Sequence, residues 1–169
     1  MDLKKSSLIL FLLIFTILLL YNSPFRSINE DEEMYFKNAI ENFDNKNYII
    51  DKLDHRLVYN FISANSINIL GYENTKIVWR FILTFFFSIS FLLIFKYLNL
   101  TSFQAIIITI IFFLFGQSFF SKLQIFKGFL AADFSYIFSL LSFLMLFKHK
   151  RFLSCLFAVF ATYFHFLIG

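Results

Sequence analysis

Long apolar runs separated by short polar stretches set the pattern of this chain. Lys4 and Lys5 precede a first run, Leu8 to Tyr21. At 1.5 Å per residue that run is slightly short for a ~30 Å hydrocarbon core, so Ser6, Ser7 and Tyr21 are expected at the interfaces. A basic start before a short hydrophobic stretch also describes a signal peptide. Asn22-Ser23-Pro24 offers no small-x-small cleavage site, however, and further apolar runs follow, which favours a retained signal anchor. A second run extends from about Ile77 to Phe95. Asn74 or Thr75 can cap it, and Trp79 and Arg80 fall in its first turn, where an aromatic belt and a snorkelling cation belong. A third covers about Phe103 to Phe115, weakened at its far end by Gly116-Gln117-Ser118. The fourth covers about Phe129 to Phe147, and the fifth begins at Phe152 and is still apolar at Gly169. The expected fold is all-α, a polytopic membrane helix bundle with about five transmembrane spans.

Between the first two runs lies a hydrophilic segment, 22–76, too long and too patterned for a plain connector. Pro24 ends the first helix. Ser27-Ile28-Asn29-Glu30 fits a capping box, after which Tyr35, Phe36, Ala39, Ile40 and Phe43 recur at helical spacing. Asp44-Asn45-Lys46-Asn47 reads as a turn. A second amphipathic stretch, with Leu57, Val58, Phe61 and Ile62 on one face, ends near Gly71. Such helices are expected to lie along the membrane surface. Three parts follow: a first span (1–21), an extracytoplasmic loop with amphipathic helices (22–76), and spans two to five (77–169).

Composition agrees with lipid as the solvent. The chain of 169 residues is 59% hydrophobic with mean hydropathy +0.73, which leaves too little polar sequence to coat a soluble core. Its 29 Phe suit lipid as any large apolar side chain does, so they do not by themselves imply a ligand cage. Cys155 is alone in the sequence and can form no intrachain disulfide. The net charge of +4 is spread over residues flanking apolar runs, an arrangement that controls topology and does not suit nucleic acid. With the N-terminus inside, Lys4, Lys5, Lys96, Lys148, Lys150 and Arg151 collect on the cytoplasmic side. The acidic stretch Glu30 to Glu33, the Lys122 to Lys127 connector, Asp133 and the far end of the fifth run then share the outer face.

Several residues are candidates for chemistry. Acids cluster in a helix's first turn because each offsets the positive dipole end by about 0.3–1 kcal/mol, and that alone explains part of Glu30-Asp31-Glu32-Glu33. Four in a row repel one another more than a dipole requires. Close carboxylates also raise each other's pKa or recruit a cation, so a base or a divalent cation near Asp31 and Glu32 is open. His55-Arg56 follows Asp51 and Asp54; His55 is either a proton carrier or an ordinary surface histidine. Asp133, about one turn inside the fourth run, must find water, a partner or the bundle interior. His165 lies ~20 Å along the fifth run at helical rise, toward the same outer face, as a ligand contact or a packed core residue. No His or Cys spacing suggests a transition metal. A Gly-rich phosphate loop, a nucleophile elbow and internal repeats are all missing from the sequence, which sets aside soluble nucleotide chemistry and solenoids.

A basic N-terminus, one span, then an outer loop opening on Asp31-Glu32 with Tyr35 shortly after resembles the GT-C superfamily of polyprenyl-phosphate-sugar-dependent glycosyltransferases. Protein O-mannosyltransferases and the aminoarabinose transferases of lipid A belong to that superfamily. The likeness continues through Lys37-Asn38-Ala39-Ile40 and through Glu73-Asn74-Thr75-Lys76-Ile77-Val78-Trp79-Arg80, and it covers the N-terminal portion of such enzymes, so further spans are expected. The resemblance implies that Asp31 deprotonates the acceptor hydroxyl or amine while a sugar leaves its lipid phosphate. It implies that Glu32 positions the acceptor or holds a cation, and that Arg80, Lys122 or Lys127 neutralises the departing phosphate. The substrate would be a polyprenyl-phosphate-linked sugar and the acceptor is unspecified. His55, Arg56, Asp133 and His165 complete the expected substrate-binding set. The competing expectation is a non-catalytic polytopic subunit of polysaccharide export, flipping or transport, docking a partner through the same loop.

Overall fold

The computed structural model describes residues 3–27, 30–44, 57–114 and 128–164. Among these the protein is all-helical, with seven helices and no strand: α1 (Leu3–Tyr21), α2 (Glu30–Asp44), α3 (Leu57–Leu70), α4 (Tyr72–Tyr97), α5 (Ser102–Leu114), α6 (Ala131–Phe147) and α7 (Arg151–Phe164). Helix α4 is long and apolar enough to cross a membrane; its 26 residues reach ~39 Å at helical rise. The other apolar helices are shorter.

Ring contacts and hydrogen bonds give the directions of α1, α6 and α7 relative to α4. Phe11 and Phe15 of α1 meet Phe85 and Phe81 of α4, with centroids 5.7 and 5.3 Å apart, so these two helices run antiparallel. Phe112 of α5 meets Phe91 of α4 at 5.4 Å. Trp79 and Tyr97 of α4 meet Phe134 and Phe147 of α6, so that pair runs parallel. Helix α7 folds back on α6. There Phe138 contacts Phe157, Phe160 and Phe164, while Ser135 and Ser142 donate across to the Ala161 and Ser154 carbonyls at 2.8 and 2.9 Å. Hydroxyl-to-carbonyl bonds between close-packed helices are the usual glue where water is scarce.

Two local devices shape the turns. Gly71 separates α3 from α4 with φ 76° and ψ 169°, a conformation open essentially to glycine alone. Its N–H closes α3 on the Ile67 carbonyl at 2.8 Å, and its own carbonyl receives Thr75 N–H at 3.1 Å as α4 starts. At the opposite end, α4 and α6 finish in the same way. Asn99 and His149 adopt left-handed φ of 55° and 57°. The following Leu100 and Lys150 N–H groups reach back to the Phe95 and Met145 carbonyls, the Schellman closure of orphan carbonyls. Tyr97 hydroxyl donates to the Phe147 carbonyl at 2.9 Å and ties these two ends together. Lys96, Lys148, Lys150 and Arg151 are all exposed there.

Three expectations differ in detail. Helix α4 begins at Tyr72, more than a turn before Ile77, so Arg80 lies inside the helix and is buried instead of snorkelling. The buried face of α3 is Tyr59, Asn60, Ser63, Ala64 and Ile67, while Phe61 is 60% exposed. Small residues win that face because α2 packs closely on it, and Tyr59 wins a place because its hydroxyl finds a carbonyl. Helix α2 starts at Glu30, so all four acids occupy its first turn; Ile28 and Asn29 of the expected capping box lie outside the described residues.

Candidate functional site

The core converges on Phe129, which is fully buried just before α6. Its ring meets Phe36 of α2 at 5.7 Å, Tyr59 of α3 at 5.2 Å, Trp79 of α4 at 5.3 Å and Phe134 of α6 at 5.8 Å. Its backbone is held as firmly: Tyr59 hydroxyl donates to the Phe129 carbonyl at 2.9 Å, and Phe129 N–H donates to Glu32 Oε1 at 2.6 Å. Burial pushes the Tyr59 phenol well above its ordinary range, and the nearby Glu32 carboxylate adds to that.

Glu32 is the acid that turns inward. It precedes Phe36 by four residues and Ala39 by seven, so it shares their buried stripe. Besides Phe129 N–H, its carboxylate takes Arg80 Nε on Oε1 at 2.9 Å and Arg80 Nη2 on Oε2. Arg80 is 1% exposed and Glu32 0%. The rest of the guanidinium is spent on the segment after α1: Nη1 donates to the Ser23 and Arg26 carbonyls at 3.0 and 2.9 Å, and Nη2 also to the Ser27 carbonyl at 3.3 Å. A guanidinium has five N–H donors, and all five are thereby engaged inside the protein. This bidentate pair clamps α2, α4, the 22–27 segment and the start of α6 onto one point.

The neighbouring acids face outward. Glu30, Asp31 and Glu33 are exposed. Glu33 pairs with Lys37 at 2.8 Å, one turn along, and raises that ammonium's pKa through the hydrogen bond. Asp31 therefore stands at the surface directly beside the buried clamp. Glu32 and Arg80 instead use their charges on each other.

Asp133 is buried and closes the start of α6, its Oδ2 accepting Leu130 N–H at 3.1 Å. His55, Arg56, Lys122, Lys127 and His165 lie outside the described residues. Among the described residues no three His, Cys, Asp or Glu side chains converge as metal ligands do, and the Glu32 carboxylate beside Asp31 has Arg80 as its counter-charge.

Sequence reasoning missed Tyr59, Phe129 and the inward turn of Glu32. The last was detectable, since Glu32 falls on the Phe36–Ala39 stripe. Comparison with protein-family models, curated proteins and solved structures gave no match.

Proposed function

We propose that the chain is a multi-pass membrane glycosyltransferase, with Asp31 as general base toward an acceptor and a polyprenyl-phosphate-linked sugar as donor. The observation that carries this reading is the contrast inside one helical turn. Glu32 is sequestered with Arg80, while Asp31, one residue earlier, is exposed on a helix start that the buried pair ties to α4. A base needs a fixed position and access to substrate, and exposure beside the buried clamp supports Asp31 in that role.

The membrane part of the proposal rests on apolar surface and helix direction. Leu8, Ile9, Leu12 and Leu13 of α1, Ile107, Ile108, Ile110 and Ile111 of α5, and Phe152, Leu156, Val159 and Phe160 of α7 are all exposed, as lipid-facing residues are. Helices α1, α4, α5, α6 and α7 alternate in direction, as five successive spans must. In this proposal the exposed basic end around Lys96 and Lys148 is cytoplasmic and the acidic end is extracytoplasmic, in line with the distribution of Lys and Arg in short loops. Lys122 and Lys127 remain the proposed phosphate-neutralising residues of the connector.

The test is turnover of polyprenyl-phosphate-linked sugars by membranes containing the protein. Asp31→Asn should lose about 10²–10⁴-fold, the usual worth of a general base, while Glu30→Gln and Glu33→Gln keep activity. Full turnover by Asp31→Asn contradicts the assignment. Individually replaceable acids, with partner binding lost on charge reversal of α2, would instead identify a non-catalytic docking subunit; the exposed acidic turn is the feature that suits it.

A further inference from the structure

The first turns of α4 contain a buried cation whose bonding is incomplete. Lys76 is 3% exposed, and its ammonium bonds the Glu73 carboxylate one turn back, itself an exposed group. An ammonium carries three N–H donors; the other two find no acceptor among the described residues. Thr75, the residue before it, is fully buried and its hydroxyl also has no partner among the described residues. The other buried hydroxyls of α4 behave differently. Thr84, Ser88 and Ser90 each bond the carbonyl four residues back, at 2.7, 2.7 and 2.9 Å. Two adjacent buried residues thus hold unused donors at the positive end of a long helix dipole. Burying a charge in this state is costly unless an acceptor completes it. Arg80, one turn further along the same face, has no donor to spare.

We propose that Lys76, with Thr75 beside it, binds a phosphate group at the start of α4. Phosphate supplies several strong acceptor oxygens and a compensating charge, and lysine meets it as a point charge. That the phosphate is the headgroup of a polyprenyl carrier rests on the transferase reading above; the anion site itself does not. Glu73 competes for the same ammonium, so the site is weakened by its own carboxylate until the anion displaces it.

The experiment is binding of radiolabelled polyprenyl monophosphate to the protein in phosphatidylcholine nanodiscs, with Trp79 fluorescence as a local reporter. Trp79 is the single tryptophan in the sequence and lies one turn beyond Thr75. Saturable binding is expected, with unphosphorylated polyprenol failing to compete. Lys76→Met should weaken it by about tenfold or more and Glu73→Gln should tighten it by about threefold, since one removes the charge and the other its competitor. Glu73 is at the surface, so its variant reports even where Lys76→Met does not fold. Competition by inorganic phosphate would mark free phosphate as the ligand; resistance to it would mark the lipid headgroup. Wild-type affinity in Lys76→Met, or unchanged affinity in Glu73→Gln, overturns the site. Lys76-dependent binding without any sugar transfer would sink the transferase reading alone. Transfer by wild-type protein, with binding indifferent to both variants, would sink the phosphate site alone.

Discussion

Glu32 and Asp31 are chemically near-identical neighbours with opposite fates, and their substitutions should separate cleanly. Glu32→Gln leaves the Arg80 guanidinium buried without a counter-charge, a loss of about 3–5 kcal/mol. Asp31→Asn, at the surface, should stay within about 0.5 kcal/mol of the parent. Thermal unfolding in detergent would check both. Pairing Glu32→Gln with Arg80→Met should recover only part of the loss, because the Ser23, Arg26 and Ser27 carbonyls also lose their donors. Tyr59 adds a pH dependence. Below its ordinary value of 10.0 folded and unfolded chains both hold the phenolic proton, and Tyr59 contributes no slope. Above it the unfolded chain releases that proton while the folded one keeps it, so stability falls as pH rises toward the folded-state value. Tyr59→Phe should therefore be less stable at neutral pH, through the lost bond to the Phe129 carbonyl, yet show a shallower fall between about pH 9 and 11. Unfolding midpoints at several alkaline pH values measure the slope, and an equally steep fall in the variant would exclude Tyr59 as its source. At this scale the inward Glu32 was legible from its stripe. Its partner was not, because Arg80 lies 48 residues along the chain and pairing at that separation is settled by the fold.

The elements themselves were more legible than their faces. Apolar runs place α5, α6 and the start of α7 to within a turn, α1 and α4 begin more than a turn ahead of their runs, and Pro24 and Gly71 mark real breaks. The face of α3 was not legible, since hydrophobicity favours Phe61 while packing selects Ser63 and Ala64. A rule that sends large apolar residues inward fails where close helix approach rewards small ones. The turns carry their own prediction. Gly71→Ala meets no atom within 4 Å, so its cost is purely backbone strain, about 1–3 kcal/mol. His149→Gly relieves a left-handed residue and should stabilise by about 1 kcal/mol. Unfolding midpoints moving in opposite directions would confirm that backbone conformation, and no side-chain contact, governs both positions.

At the scale of the whole molecule, the described residues group two sets of charges at opposite helix ends. Exposed Lys96, Lys148, Lys150 and Arg151 gather where α4 and α6 finish; the acidic turn, the Glu32–Arg80 clamp and Asp133 gather where those helices start. The basic cluster was legible from the sequence in one respect: Lys96 and the Lys148 to Arg151 stretch directly follow apolar runs, and α4 and α6 do end there. The convergence of four helices on Phe129 was not anticipated, since one Phe among 29 carries no mark of its place. The proposed activity requires the acidic end to face out of the cell. Replacing Cys155 with serine and introducing single cysteines as Glu33→Cys and Lys150→Cys allows that to be measured in intact cells with a membrane-impermeant maleimide. Glu33→Cys is expected to be labelled from outside and Lys150→Cys only after permeabilisation; labelling of both positions from the same side would contradict an outward-facing acidic end.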